Sequence, residues 1–293
     1  MRQTTRLNYR HRITKVIDYI HNNLGDDLSV NVLADIAIMS PYHFHRIYRE
    51  LAQETVNATI RRLRLQRAAV ELIRSTQPIS RIAKRVSYGS QEAFSRAFTQ
   101  QFGETPGEYR QARKTQDQID MEPFIAMLPT ETKVYEEMYQ VDIIDLEPIP
   151  LSGYRHQGDY MGIGATFEKL FIYGASNNLL NEHTRSIGLY YDDPKTVVKE
   201  ELRSMACITT AEDTQMSGDN TLERMQIPAG KCATLLFKGS YAELEKPYDW
   251  LFGHWLPQSG HEAADFPVFE EYLNDPKETP PSELLTRIHC LLA

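Results

Sequence analysis

The 293-residue chain has no apolar run approaching the roughly 18–20 residues that cross a bilayer, so it offers no candidate membrane span. Its first twelve residues are basic and lack the apolar core of a secretory signal; they read as a flexible basic lead-in, with an organelle transit peptide as the alternative. Cysteine is scarce. Cys207, Cys232 and Cys290 are odd in number and scattered, which provides neither a disulfide framework nor paired zinc spacing. Histidine gives no ligand set either: His43 and His45 are two apart on a predicted helix and point to different sides, and His21, His254 and His261 have no ligand spacing. No Ser/His/Asp triad, phosphate loop or metal cluster is visible, so no cofactor is expected and most enzyme classes lack support. What is present is globular: 41% hydrophobic and 25% charged residues, in a length that suits two domains. The expected location is a reducing cytoplasm.

The net charge of −8 hides a split. Residues 1–114 hold 19 Lys and Arg against 10 Asp and Glu, a net of +9. Residues 115–293 hold 13 against 30, a net of −17. A basic front half fits a polyanion, because each neutralised phosphate releases counterions. The acidic back half would repel that partner, so the halves are expected to do different jobs. Solvated surface charge distributed by chance is the alternative.

The front half reads as helical. Ile13, Val16, Ile17, Ile20 and Leu24 form the buried stripe of an amphipathic helix, which Gly25 ends. Ser29 is placed to cap a second helix, and Ser40-Pro41 to open a third carrying Phe44, Ile47, Tyr48 and Leu51. A long helix is expected at about 57–75, broken by Pro78, with Ser80 capping a short one. Ser90 then caps a helix that Gly103 stops, and Thr105 and Glu108 form a capping box for the last. The elements repeat. Leu33, Ala34 and Ala37 recur as Ile82, Ala83 and Val86, 49 residues on; Ser40, Phe44, Arg46 and Tyr48 recur as Ser90, Phe94, Arg96 and Phe98, 50 on.

Each unit has helix-turn-helix grammar, and a rigid linking helix can hold two such units about one DNA turn apart. The second helix of each would enter a major groove. Off the core stripe lie Tyr42, His43, His45 and Arg46, with Arg49 for phosphate, and Gln91, Glu92, Ser95 and Arg96 in the second copy. Arg pairs bidentately with guanine and Gln with adenine; Glu92 could accept from a cytosine amino group or repel phosphate. For Arg46 and Arg96 the alternative is a solvated or ion-paired surface side chain.

The motifs Ser40-Pro41-Tyr42-His43-Phe44-His45-Arg46, Tyr88-Gly89-Ser90-Gln91-Glu92-Ala93-Phe94-Ser95-Arg96 and Phe102-Gly103-Glu104-Thr105-Pro106-Gly107 resemble the DNA-binding domain of AraC/XylS transcription regulators. The resemblance covers residues 13–113. It implies that Tyr42, His45 and Arg46 read bases in the first unit and Gln91, Glu92 and Arg96 in the second. Ser87 departs from the pattern, standing where the family usually has glycine.

A polar stretch with Pro123 and Pro129 separates the halves and reads as a linker. Beyond it, strand-like runs fall near 139–147, 151–157, 186–191, 204–210, 222–227, 231–238, 267–273 and 284–292, interrupted by two helical stretches. Gly158-Asp159-Tyr160 recurs as Gly239-Ser240-Tyr241 at an offset of 81, and Tyr191 as Tyr272. This predicts one antiparallel sheet folded about a pseudo-twofold axis, with a groove between its halves. Of 29 aromatics, 18 lie after residue 130; Tyr160, Phe171, Tyr173, Tyr190, Trp250, Trp255 and Tyr272 are the groove candidates, against the alternative that each is core. Glu270 shares a strand face with Tyr272 and, at the 81-residue offset, matches the apolar Leu189. A carboxylate there needs a partner: a cation between aromatic faces, a buried Arg, or solvent at an edge.

Gly239-Ser240-Tyr241, Trp250-Leu251-Phe252-Gly253 and Phe269-Glu270-Glu271-Tyr272-Leu273-Asn274-Asp275-Pro276 resemble the GyrI-like effector-binding domains, found also in Rob-type regulators behind the same N-terminal module. The resemblance implies an amphipathic, often cationic, effector meeting Glu270, and activation through RNA polymerase. The expected fold is an all-α double helix-turn-helix domain followed by an α+β GyrI-like domain, a duplicated strand/helix unit whose antiparallel sheet carries helices on one face. The expected boundaries are 1–12 for the lead-in, 13–113 for DNA binding, 114–137 for the linker and 138–293 for effector binding. The expected function is a DNA-binding transcription regulator whose partners are double-stranded DNA and a small effector, with no membrane. The alternative is a GyrI-like hydrolase of electrophilic small molecules, using Glu270 with Tyr272 or Tyr160 as base and acid.

Overall fold

The computed structural model describes residues 2–26, 28–113, 139–211 and 221–293; the linker expected at 114–137 lies outside them. Seven helices make up the N-terminal part: α1 (Arg2–Asn22), α2 (Val30–Ala37), α3 (Pro41–Ala52), α4 (Val56–Arg74), α5 (Ile79–Arg85), α6 (Gln91–Phe102) and α7 (Pro106–Arg113). The lead-in expected at 1–12 is not a separate segment. No proline or glycine interrupts it, and α1 runs from Arg2 through the buried stripe of Ile13, Val16, Ile17 and Ile20.

Capping follows the sequence in α6, where Ser90 accepts from the Ala93 amide at 3.1 Å and Gly103 closes the helix at φ 75°. The capping box of α7 is also present: Glu108 accepts from the Thr105 amide at 2.9 Å, and Thr105 Oγ1 accepts from the Glu108 amide at 3.3 Å. Two expectations shift. Ser29 stands at the N-cap of α2 without a side-chain capping bond, and α5 starts two residues early with Pro78, not Ser80, at its N-cap. Ser87, in the glycine position of the second turn, adopts φ 61°. The left-handed geometry that glycine would reach without strain is thus imposed on a serine.

The second unit has its own core: Leu65, Ala68 and Leu72 of α4 meet Ile82 and Ala83 of α5 and Phe94 and Phe98 of α6, with Tyr109 of α7 packed against them. Each fully buried Leu, Ile or Phe of this cluster contributes about 1.5–3 kcal/mol. The chain clusters into two compact units, and the division runs through the first helix-turn-helix. One unit comprises Met1–Tyr9, Met39–Glu50 and Thr132–Ala293; the other comprises Arg10–Ile38 and Leu51–Glu131. Most of α3 therefore packs as part of the C-terminal unit.

That unit is built on an eight-stranded antiparallel sheet. Its strands are β1 (Val141–Leu146), β2 (Ile149–Gln157), β3 (Ser186–Tyr190), β4 (Arg203–Thr209), β5 (Glu223–Ile227), β6 (Gly230–Lys238), β7 (Val268–Tyr272) and β8 (Leu285–Leu291), in the order β1-β6-β8-β7-β3-β4-β2-β5. The trios β2-β4-β3 and β6-β8-β7 are the duplicated units, joined where β3 pairs with β7. Register corrects the sequence offset. Tyr190 pairs with Ser204 and Tyr272 with Thr286; Gly188 pairs with Ala206 and Glu270 with Ile288. Both pairings repeat at 82 residues, so Tyr272 answers Tyr190 and Glu270 answers Gly188, not Leu189. One extra residue between β6 and β7 accounts for the slip.

Alternation gives the sheet two faces. One buries Leu151, Ile187, Leu189, Met205, Cys207, Cys232, Phe269 and Leu291. All three cysteines are free and buried, and burial pushes the Cys232 thiol up to about 12. The other face carries Glu270 and Tyr272, and both helical segments reach it. Phe167 of α8 (Ile163–Ser176) packs edge-on to Tyr272, and Tyr248 of α9 (Glu245–Trp250) meets Glu270. The α9 run continues through a π turn at Leu251–Trp255 into α10 (Leu256–Ser259). Pro257 has no N–H to return to the Gly253 carbonyl, and the wider turn absorbs that loss.

Candidate functional site

Strand alternation places the neighbours Glu270 and Glu271 on opposite faces with opposite electrostatics. Burial would raise Glu271, but His289 and Arg185, whose Nε donates at 2.6 Å, hold it down at about 2. Burial pushes Glu270 up to about 7, and the two hydroxyls that donate to it, together with the charge of Arg46, only partly offset this. Those hydroxyls belong to Tyr248, at 2.8 Å from Oε1, and Tyr272, at 2.9 Å from Oε2. Tyr272 is in turn hydrogen-bonded to the hydroxyl of Tyr190. Burial, with the charge of Glu270 next, raises Tyr190, Tyr248 and Tyr272 well above the ordinary phenol range, so all three remain protonated donors.

The glycine opposite Glu270 makes this possible. A Cβ at Gly188 would lie 2.9 Å from both Tyr190 Cε2 and Tyr272 Oη. Around the tyrosine pair, Tyr160 meets Tyr190 at 4.8 Å between centroids, and Tyr241 and Phe167 meet Tyr272 at 5.4 and 5.5 Å. Glu270, Tyr272, Tyr190 and Tyr160 are thus brought together as expected. Phe171 reaches the group through Phe167, at 6.2 Å. Tyr173 instead packs on Tyr154, and Trp250 on Tyr139 and His254. Among the described residues, no ring contact or hydrogen bond ties Trp255 to Glu270.

Tyr248 and Phe252 are site residues that are not among the groove candidates expected from the sequence. They stack with planes 10° apart, one helical turn from each other. Their i, i+4 spacing looks the same in a core stripe and in a pocket wall.

The cation on these rings comes from α3. The Arg46 guanidinium carbon lies 4.8 Å from the centroid of Tyr248 and 5.4 Å from that of Phe252, and Nη2 donates to the Asp192 carbonyl at 3.1 Å. Arg46 is 5% exposed. His43, 1% exposed, stacks on Phe252 and donates from Nε2 to the Phe266 carbonyl at 3.0 Å. Burial, then the charge of Arg46, takes His43 down to about 3, so its ring is neutral. Arg49 donates to Asp193 at 2.5 Å and to Asp249 at 2.9 Å, Ser40 donates to Asp265 at 2.8 Å, and Tyr42 lies 6.2 Å from Tyr191.

The expectation that the first unit presents His43, His45 and Arg46 to bases is therefore corrected: all three are buried, and Arg49 and Tyr42 are half-buried. In the second unit Gln91, Glu92 and Arg96 are exposed on α6 and Ser95 is half-buried, the arrangement a groove-reading helix needs. No group of three or more His, Cys, Asp and Glu among the described residues could hold a metal ion.

The GyrI-like small molecule binding domain matches residues 139–290, just over half of the chain. The chain belongs to the GyrI-like family. Residues 33–112 of this GyrI-like protein match a helix-turn-helix domain, which with its relatives is of the AraC type. The chain is 40% identical to the RCS-specific HTH-type transcriptional activator RclR of Escherichia coli K12 over 100 residues, 34% of this chain and 35% of RclR. It is 34% identical to the regulatory protein SoxS of Salmonella typhimurium over 104 residues, 36% of this chain and 97% of SoxS. It is 29% identical to a DNA gyrase inhibitor of Erwinia billingiae over 137 residues, 46% of this chain and 86% of that protein. These matches carry the architecture of a transcription regulator and give the hydrolase alternative no support. No helix among the described residues is long and apolar enough to cross a membrane.

Proposed function

We propose that this GyrI-like protein is a cytoplasmic transcription regulator that binds double-stranded DNA through its two helix-turn-helix units and a small cationic effector at Glu270. The observation that carries the effector reading is a buried carboxylate held by two phenols beside two stacked rings that already accept a guanidinium. A desolvated cation over such faces gains about 2 kcal/mol from the rings, and more from the carboxylate. Exposed Gln91 and Arg96 on α6, and the basic N-terminal part, support the DNA reading. The name of RclR as an activator supports a positive sign of regulation, which would need contact with RNA polymerase.

An effector acts as a switch only if it binds one DNA-binding arrangement better than the other. The test is selection of bound genomic fragments with and without a panel of cationic compounds. Enrichment of a discrete set of sites, altered by a cation, is the expected result. Failure to enrich any site, with or without the panel, would remove the regulatory reading.

A further inference from the structure

Arg46 presents a contradiction that the regulatory reading does not resolve. A side chain poised to read bases presents its edge to solvent, and Arg46 has almost no accessible surface. Instead it makes, within one compact unit, the contacts that a cationic ligand beside Glu270 would make. Its planar guanidinium faces Tyr248 and Phe252, donates to a main-chain carbonyl, and bears electrostatically on Glu270.

We propose that Arg46 is an internal stand-in for the effector: α3 and the cation compete for the same ring faces beside Glu270, so that ligand binding releases the first DNA-reading helix. This rests on the effector reading of the Glu270 site and extends it to the ligand's chemistry and to regulation. The cation on these rings is monovalent and planar with N–H donors, so the ligand that replaces it is an amidinium- or guanidinium-like group on an aromatic body.

The rest of α3 is held in keeping with a clamp. Arg49 bridges Asp193 and Asp249, and Ser40 is tied to Asp265. These attachments lie outside the aromatic group, so they set how firmly α3 is held without touching the ligand's own contacts. Burial also strips His43 of its charge, which leaves Arg46 as the cation of this helix directed at the rings. Competition has a definite arithmetic. If the clamped form is about 90% populated, apparent ligand affinity falls about tenfold from that of the open groove.

Benzamidine serves as the probe, with the full-length protein. Calorimetry on the parent, Arg46→Ala and Asp249→Asn is combined with hydrogen exchange of the segment 39–50. The expected result is binding at least about tenfold tighter in Arg46→Ala, tighter binding also in Asp249→Asn, and faster exchange in 39–50 when the parent is saturated. Equal affinity in all three proteins with unchanged exchange in 39–50 would overturn competition while leaving the effector site standing. Absence of benzamidine binding in all three would overturn the effector reading itself, and the competition with it. Asp249→Asn keeps the test valid should Arg46→Ala fold poorly.

Discussion

Arg46 lies over the ring of Tyr248, 4.8 Å from its centroid, while the hydroxyl of that tyrosine donates to Glu270 at 2.8 Å. One side chain thus couples a helix that the sequence assigns to DNA with a carboxylate that it assigns to an effector.

Replacing Glu270 by alanine removes the charge that a cation meets and leaves the hydroxyls of Tyr248 and Tyr272 without their acceptor. Cation binding is expected to weaken by about 2–4 kcal/mol, combining a charge-assisted contact with the orientation of the rings. Calorimetry with a lipophilic cation measures it; affinity within a factor of two of the parent would take Glu270 out of the site.

The two recognition helices are expected to behave differently. Arg96 is exposed, so Arg96→Ala costs about 1–3 kcal/mol of specific DNA binding with or without effector. Arg46→Ala removes a side chain that is buried in the absence of ligand, so a comparable loss is expected only against the effector-bound parent. Binding titrations on one operator, with and without cation, distinguish these cases.

The acidity of Glu270 sets a pH dependence. The carboxyl sits among Tyr190, Tyr241, Tyr248, Tyr272 and Arg46, and burial pushes it from 4.5 up to about 7. Because the folded value is the higher one, its contribution to stability is full below 4.5 and is lost as pH rises through about 7. Cation affinity runs the other way, rising through the same interval as the carboxylate ionises and levelling above it. Calorimetry between about pH 5.5 and 8.5 reads the rise. Glu270→Gln is expected to flatten it; an unchanged slope in that variant would assign the titration to another group.

Gly188 is expected to tolerate no side chain. A methyl group there collides with the hydroxyl ends of Tyr190 and Tyr272, so Gly188→Ala must separate the pair that orients Glu270. A stability loss of about 1–3 kcal/mol is expected in denaturant titration, with weakened cation binding. A variant as stable as the parent would show that the tyrosines have room to move.

Ser87 holds φ 61° in the turn of the second unit, and glycine would relieve that conformation. Relief of left-handed strain, less the entropy glycine adds to the unfolded chain, predicts that Ser87→Gly stabilises by up to about 1 kcal/mol. A lower unfolding midpoint would contradict this.

Much of the architecture was legible in local pattern. Each of the eight predicted strand runs overlaps a strand, because alternation and the Gly- and Asp-Pro-bounded turns are local signals. Ser90, Gly103, Thr105 and Glu108 cap as their chemistry requires. Glu270 stands out in the sequence as a carboxylate at an apolar position, although its true counterpart is Gly188; offset by sequence motif cannot see the residue inserted between β6 and β7, whereas strand register can. The docking of α3 was not legible. The Arg46 bond to Asp192 joins residues 146 apart, and an amphipathic helix carries the same pattern whether its polar face meets DNA or a protein groove. Tyr248 was hidden for a related reason, since helical spacing does not distinguish a core wall from a pocket wall.

Footprinting on a selected operator, with and without a bound cation, tests the shared groove most directly. The expected result is protection of one major groove by the second unit alone in the absence of cation, extending by about one helical turn to a second groove when cation is present. Protection of both grooves at full extent without any cation, unchanged by its addition, would contradict it.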